Sequence, residues 1–379
     1  MIKMLHFADV HLDSPFSLCD ASQSVKRRNE HRAVFTSVMT YVRTSGIKYV
    51  LISGDLFDMR AVSRETVDIV LREFSVNPGT RFIISPGNHD PYSSESVYSK
   101  VRFPDNVYIF KSEELTRLEF PDDGVDIYGY AFTSSSLVKC PIVGRSVENS
   151  ERLNILVAHA DTSSAISRYC PVTEKDIIRF GADYTALGHL HNTDGVHSLS
   201  NGGLYAYSGC LEGRGFDECG YKGAILLDIN YDRGAGTKKI STHPYRFSKR
   251  RYASEEIDVT GLSETDEIVE RVRSRINEKH YGEETVLRVV LTGSVSPKLT
   301  SDVSAIESAL SPLYAFELLD RTFPVFDDDF LKSDVTIRGE FYRSMLPKMT
   351  SGSPEERELA AWALRYGLSA LAGENIIDF

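Results

Sequence analysis

The sequence predicts an α/β fold, and three observations carry that prediction. Short apolar runs alternate with helix-spaced segments through the first part of the chain. Each of the early runs ends in a polar cluster holding Asp, His, Asn or Gly. Turn signals such as Asp123-Gly124 and Gly202-Gly203 then separate the later runs.

Ile2–Phe7 reads as a buried strand that exits into Ala-Asp-Val-His. Arg27–Ser45 has helical spacing, with Val34, Phe35, Val38, Met39 and Val42 on one face, and stops at Gly46. Tyr49–Ser53 is a second buried strand running into Gly-Asp, and Ser63–Phe74 is a helix. Arg81–Ser85 is a third strand, ending at Pro-Gly-Asn-His-Asp. Further strands are expected at Val107–Phe110, Val125–Tyr130, Leu153–His159, Tyr184–Gly188 and Ala224–Ile229. His243–Arg251 is a basic stretch that reads as a linker. After it come a strand (Ala253–Val259), a helix (Glu264–Lys279), a strand (Val286–Leu291), a helix (Thr300–Leu310) and a strand (Ala315–Leu319). The tail carries Asp327-Asp328-Asp329, then an amphipathic helix through Leu371 opened by Ser353 as N-cap with glutamates in its first turn. The expected domains are therefore 1–248, a small α+β unit over 249–325, and a helical tail over 326–379.

Composition sets the boundaries of function. With 379 residues, 41% hydrophobic and 26% charged, the chain has the balance of a globular protein of two or three domains. No apolar run approaches the ~18 residues of a membrane span, and the start lacks the pattern of a secretory signal. Five scattered cysteines (Cys19, Cys140, Cys170, Cys210, Cys219) make no CxxC pair and no disulfide framework, so a cytoplasmic protein with reduced thiols is expected. The net charge of −11 argues against a generally sticky nucleic-acid binder. It is unevenly spread: Arg250–Phe379 carries −9 and the remainder −2. Bound divalent cations would invert the field of clustered carboxylates, so the acidity leaves a phosphate-bearing substrate open.

Chemistry gathers at the strand exits. Asp9 and His11 sit two apart after the first strand, so both can face one way. Gly54-Asp55 follows the second strand and Gly87-Asn88-His89-Asp90 the third. His159 ends the Leu153–Ala158 run, and Gly188-His189-Leu190-His191 closes the next. Ligands collect outside the carboxyl ends of strands in open α/β sheets. Taken singly, His189 would be an ordinary core or surface histidine, Gly54-Asp55 a turn or helix cap, and Gly87-Asn88 a left-handed turn. Five such elements in order read instead as a metal centre. Mixed imidazole and carboxylate suit Mn²⁺, Fe²⁺ or Zn²⁺, whereas an all-oxygen set would suit Mg²⁺ or Ca²⁺. Two ions ~3.5–4 Å apart can clamp a phosphate and activate a water, and a histidine outside the ligand set can protonate the leaving oxygen.

These residues resemble the calcineurin-like metallophosphoesterase superfamily. The chain is most similar to its SbcD/YhaO-like branch of DNA-repair exonucleases, through Phe7-Ala-Asp-Val-His-Leu-Asp-Ser-Pro-Phe and Ser208-Gly-Cys-Leu-Glu-Gly-Arg-Gly-Phe-Asp-Glu. The resemblance spans Met1 to about Asp228. It implies a β-sandwich flanked by helices, with the small C-terminal α+β unit in the place of a capping domain. It implies that Asp9, His11 and His191 hold one metal and Asn88, His159 and His189 the other, with Asp55 bridging. His89 would be the general acid for the leaving 3′-oxygen, Asp90 its orienting partner, and a metal-bound hydroxide the in-line attacker. It further implies Mn²⁺ as the usual metal, with Fe, Zn or Mg as other options. The implied activity is DNA cleavage, as a 3′-to-5′ exonuclease and single-strand endonuclease. Partners would be an SMC-like ATPase of the SbcC or YhaN type and a second copy of the chain. Some nucleases of the family have a histidine where this chain has Asp58, leaving Asp58 to orient a ligand histidine or to cap a helix.

Three secondary features complete the reading. Glu212-Gly-Arg214 and Lys222 lie in a Gly-rich loop where cations could meet DNA phosphates, or simply be solvated. Lys249-Arg250-Arg251 reads as linker sooner than phosphate contact. The Leu359–Leu371 stripe with Trp362 reads as a packed tail sooner than a partner's docking helix. The rivals to a DNA nuclease are a small-nucleotide phosphodiesterase or phosphatase, and a catalytically silent scaffold for the ATPase.

Overall fold

The computed structural model describes residues 1–16, 21–58, 62–295, 303–324 and 328–372. The chain divides into two compact units, Met1–Ala253 and Ser254–Phe379. The first unit opens with β1 (Ile2–Phe7), α1 (Ala21–Thr44), β2 (Tyr49–Ile52), α2 (Arg64–Ser75), β3 (Arg81–Ile84), α3 (Val97–Lys100) and β4 (Val107–Ile109). It continues with β5 (Thr116–Phe120), β6 (Val125–Gly129), β7 (Leu153–His159), α4 (Glu174–Phe180), β8 (Tyr184–Gly188), β9 (Val196–Ser198), β10 (Leu204–Tyr207), β11 (Gly223–Asp232) and β12 (Thr237–Arg246).

Two six-stranded sheets result, in the orders β12-β11-β1-β2-β3-β4 and β5-β6-β7-β8-β10-β9. Strands β1 to β4 run parallel, as do β6, β7, β8 and β10. All the exits with chemistry therefore fall at the carboxyl ends of parallel strands. Alternation along each strand sorts its side chains into layers. In β1, Leu5 and Phe7 pack on α1 and α2 through Val34, Phe35, Val38, Met39, Val70 and Phe74. Met4 faces inward, with Tyr49, Leu51 and Ile83, against Ile127, Ile155, Val157 and Ala186 of the second sheet. The outer face of that sheet is covered by Phe132, Cys170, Ile177 and Phe180. Each such side chain taken from water contributes ~1.5–3 kcal/mol, which is what holds the two sheets in register.

Helix starts follow local chemistry. Ser63 caps α2 by accepting from the Thr66 N–H, and Thr173 and Asp176 form a reciprocal box at the start of α4.

The second unit takes up the chain within β13 (Arg251–Asp258), followed by α5 (Thr265–Glu278), β14 (Thr285–Thr292), β15 (Ser294–Val295), α6 (Val303–Leu310), β16 (Ala315–Asp320) and β17 (Phe323–Pro324). Strands β13, β14 and β16 make a three-stranded sheet. Then α7 (Asp328–Ser333), α8 (Ile337–Thr350) and α9 (Pro354–Ala372) pack through Leu331, Tyr342, Met345, Leu364 and Leu368. Ser353 caps α9 by accepting from the Glu356 N–H. The Leu359–Leu371 stripe is divided: Leu364 and Leu368 are buried, Leu359 and Leu371 are exposed, and Trp362 stacks on Tyr366.

Four expectations change. His243–Arg246 is not linker but the end of β12, where Pro244 is tolerated because β12 is an edge strand. Helix α1 starts at Ala21, six residues before the periodic signal. Strands β5 and β9 carry polar, part-exposed positions, and β10 and α4 were also passed over in the sequence. Helix α8 was hidden by Pro347 within it. Thr300–Asp302, Asp327 and Cys19 lie outside the described residues. Cys140, Cys170 and Cys210 are buried thiols and Cys219 is an exposed one. Among the described residues no helix is long and apolar enough to cross a membrane.

Candidate metal centre

The strand exits are bent into conformations that L-residues rarely adopt. Asp9, His11 and Asp55 have φ of 50°, 48° and 54°, and His189 has 110°. Backbone bonds hold the bends: Asp9 N–H donates to Gly54 C=O (3.1 Å) and His11 N–H to Asp55 C=O (2.9 Å). Such strain persists only where the surroundings over-determine it. Gly54 and Gly188 show how close the loops come. A Cβ on Gly54 would lie 2.3 Å from His159 Nδ1, and one on Gly188 would lie 1.9 Å from the Ser53 carbonyl oxygen. The glycines before Asp55 and His189 are there for space.

Seven expected ligands meet in this one place. Asp55 lies between two groups: its Oδ2 is 3.6 Å from His11 Nε2 and 3.5 Å from His159 Nε2, while its Oδ1 accepts from the His89 N–H at 2.9 Å. On one side, His11 Nε2 faces His191 Nε2 at 3.3 Å, and His191 Nε2 is 4.0 Å from Asp9 Oδ1. On the other, His159 Nε2 faces Asn88 Oδ1 at 2.9 Å. The donor atoms of Asp9, His11 and His191 lie within 4.8 Å of one another, as do those of Asp9, Asp55 and His159. The His189 ring packs edge-on against that of His159, with centroids 5.3 Å apart. The backbone N–H of His189 holds the Asp9 carboxylate (3.1 Å to each oxygen), and its ring Nε2 is 3.8 Å from Asp161.

The proton positions fit cations. His159 Nδ1 faces the Ser53 carbonyl at 2.9 Å, and a carbonyl only accepts. Nδ1 therefore carries the proton, and Nε2 turns its lone pair toward the oxygens of Asn88 and Asp55. A nitrogen acceptor set among oxygen acceptors is the environment of a metal ion. Burial, with Arg214, His191 and other cationic neighbours, holds His11 well below the usual imidazole range. Burial also lowers His189 to about 4. Both rings thus keep free lone pairs at neutral pH. Burial raises Asp9, with Asp55 adding to it, as expected for carboxylates crowded where positive charge belongs.

His89 is exposed at the edge of the centre, its ring 4.7 Å from that of His11. A cleft of about 530 Å³ opens beside it, lined by Phe57, Asp58, Tyr98 and Lys100 among others. The carboxylate near this ring is Asp58, within 4.8 Å of donor nitrogens of His11 and His89. Asp58 is not a cap, because Ser63 caps α2. The expected role of Asp90 as partner of the His89 ring is not what its contacts show. Asp90 accepts from the backbone N–H of Gly87 (2.8 Å), Asp55 (3.1 Å), Leu56 (2.7 Å) and Phe57 (3.2 Å), and from the Tyr98 hydroxyl. It ties the second and third strand exits together. Burial and the Asp55 carboxylate push its carboxyl upward against those donors.

The Gly-rich loop is turned inward. Glu212 is buried, takes Arg27 Nη2 at 2.8 Å and accepts from the Lys249 and Arg250 N–H groups. Arg250 and Lys249 also pair with Glu30, and Lys222 Nζ donates to Asn192 Oδ1. These cations are partnered within the unit, and Lys249, half exposed, and Arg250 sit in the short connection between β12 and β13. The sequence named Arg214 only as a phosphate contact and gave Glu218 no role. Arg214 Nη2 meets Glu218 Oε1 at 2.6 Å, and the same Oε1 lies 2.7 Å from His191 Nδ1. A glutamate four residues after an arginine, within the motif that carries the family resemblance, was the available signal.

Against known proteins, the calcineurin-like phosphoesterase family profile matches residues 2–193. The uncharacterized metallophosphoesterase YhaO of Bacillus subtilis (strain 168) is 26% identical over 321 residues, covering 79% of this chain and 76% of that protein. Among solved structures, a dimetal phosphatase from Danio rerio aligns at 14% identity with a TM-score of 0.38, over 60% of this chain and 92% of its own.

Proposed function

This chain belongs to the calcineurin-like phosphoesterase family and is a metal-dependent phosphoester hydrolase, and from that premise we propose that it cleaves the phosphodiester backbone of DNA as a nuclease. The observation that carries the chemistry is the position of Asp55, one carboxylate oxygen lying between the nitrogens of His11 and His159. Asp9, His11 and His191 would hold one ion, and Asn88, His159 and His189 the other, with Asp55 shared. When bound, two divalent cations, Mn²⁺ in our reading, neutralise phosphate charge and make water nucleophilic near neutral pH.

The chain's own residues supply the rest. His89 is a ring at the mouth of the centre, placed by the bond from its backbone N–H to Asp55, and serves to protonate the leaving oxygen. Asp58 lies beside it to hold the ring in orientation. Asp90 and Tyr98 fix the loop on which His89 stands, so that the acid does not drift from the ligands. A polymer substrate is supported by the open cleft beside His89 and by the separate unit Ser254–Phe379.

End-labelled linear duplex DNA with Mn²⁺ tests the reading, with His89→Ala alongside. Shortening that needs both metal and His89 is expected. Intact DNA together with hydrolysis of bis-p-nitrophenyl phosphate would move the substrate to a small phosphodiester.

A further inference from the structure

We propose that Glu218, clamped by Arg214, is a positioning residue that fixes the ring of His191 with its proton on Nδ1 and its Nε2 lone pair turned to the metal. The inference rests on the two-metal reading above and assigns work to two residues outside the expected ligand set.

His191 needs such a brace more than the other ligand rings do. It is the ligand ring most open to solvent, at 27% side-chain exposure against 0% for His11 and His159. Among the described residues no backbone carbonyl takes its Nδ1, which instead faces Glu218 Oε1 at 2.7 Å. A carboxylate only accepts, so the proton sits on Nδ1 and the remaining nitrogen is a lone-pair donor. Glu218 is itself held in place. Its Oε2 accepts from the Arg214 backbone N–H at 2.7 Å, and its Oε1 from Arg214 Nη2 at 2.6 Å. The Cys210 thiol lies 3.7 Å from Oε2, and Glu218 is 2% exposed. A buried carboxylate with that many fixed donors cannot swing away from the ring.

Arg214 has a second effect. Its guanidinium Nη2 is 3.0 Å from His191 Nδ1. An arginine cannot accept a hydrogen bond, so the contact is tolerable only while Glu218 stands between the two as shared acceptor. Without the glutamate, ring and guanidinium would present two donors to each other. The ring would turn or move its proton to Nε2, and in either case the nitrogen facing Asp9 and His11 would stop being a ligand.

The test compares wild type with Glu218→Gln, and with Arg214→Met as a second variant. Calorimetric titration with Mn²⁺ or Zn²⁺ reads affinity and stoichiometry, and long-range ¹H–¹⁵N spectra of the metal-free protein read the His191 tautomer. Wild type is expected to bind two ions with His191 protonated at Nδ1. Glu218→Gln is expected to weaken one of the two ions by about 10–100-fold while the other keeps its affinity, with His191 shifted toward the Nε2-protonated form. Arg214→Met is expected to weaken the same ion by a smaller factor. Two ions of wild-type affinity with an unchanged tautomer in Glu218→Gln would overturn the inference. Equal weakening of both ions would also overturn it, because it would mark general disruption. If Glu218→Gln does not fold, the Arg214→Met tautomer and affinity decide alone. Wild type that binds neither ion would instead refute the two-metal reading.

Discussion

His159 and His191 stand on opposite sides of Asp55 and are held by opposite means. His159 is fully buried and braced by a neutral backbone carbonyl, that of Ser53, on the strand exit of the other sheet. His191 is part-exposed and braced by an ion pair, buried Glu218 with part-buried Arg214. The first brace comes free with the fold, because β2 and β7 must pass there. The second requires particular side chains from a loop 27 residues on. One half of the centre is therefore as robust as the sandwich itself, and the other depends on charges that substitution can remove singly.

The contrast can be broken at its hinge. Asp55→Asn should strip both ions and lower turnover of bis-p-nitrophenyl phosphate by on the order of 10³-fold or more, with metal content measured in the same preparation. Residual tight binding of either ion would mean that the two halves do not share this carboxylate. Next in size, Gly54→Ala should strike the backbone-braced half. Its Cβ would fall 2.3 Å from His159 Nδ1 at a φ of 94°, costing about 2–4 kcal/mol in denaturant unfolding. It should also weaken the ion on the His159 side before the other.

Acid sharpens the comparison with the smallest effect. His31, on α1, is buried near Arg214 and Arg27, and burial first, then those cations, lowers it from its ordinary 6.5 to about 3. His6, buried against Tyr184 in the interior between the sheets, is lowered to about 3 by burial, against a backbone hydrogen bond at Leu187 that raises it. In the unfolded chain either ring takes a proton as the pH falls through 6.5, whereas the folded chain refuses it until about 3. Stability present above 6.5 should therefore decline through that window, by about 2 kcal/mol for each ring at pH 5. His31→Gln should recover about that amount at pH 5 and little at pH 8, read from urea midpoints at the two values.

Most residues of the cluster were legible because each needed only a strand, an exit and the right residue type. Asp9, His11, Asp55, Asn88, His159 and His191 met these conditions in chain order. What stayed hidden was side-chain direction. Spacing could not tell that Asp90 turns to backbone amides while Asp58 faces His89, since both follow strand exits by similar distances. Nor could it tell that His189 holds Asp9 through its main chain. The loop cations Arg214 and Lys222 looked like phosphate contacts, and Arg250 like linker, because composition does not reveal that Glu218, Asn192 and Glu30 are already opposite them. Strand β12 was missed for a related reason. An edge strand can carry proline and charge, and then no longer reads as a strand.

The sheet order has a consequence for how the centre comes into being. Strand β1, which delivers Asp9 and His11, lies between β2 and β11, and its partners on the β11 side run from Ile225 to Ile229. The Asp9 carboxylate is received by the His189 amide, 180 residues further along. A ribosome-bound chain that has emerged only through β4 holds Asp9, His11, Asp55 and Asn88 but none of the rings opposite them. Contacts of such long sequence separation close late, so the parts that would cut a phosphoester are assembled only after nearly the whole first unit has been made.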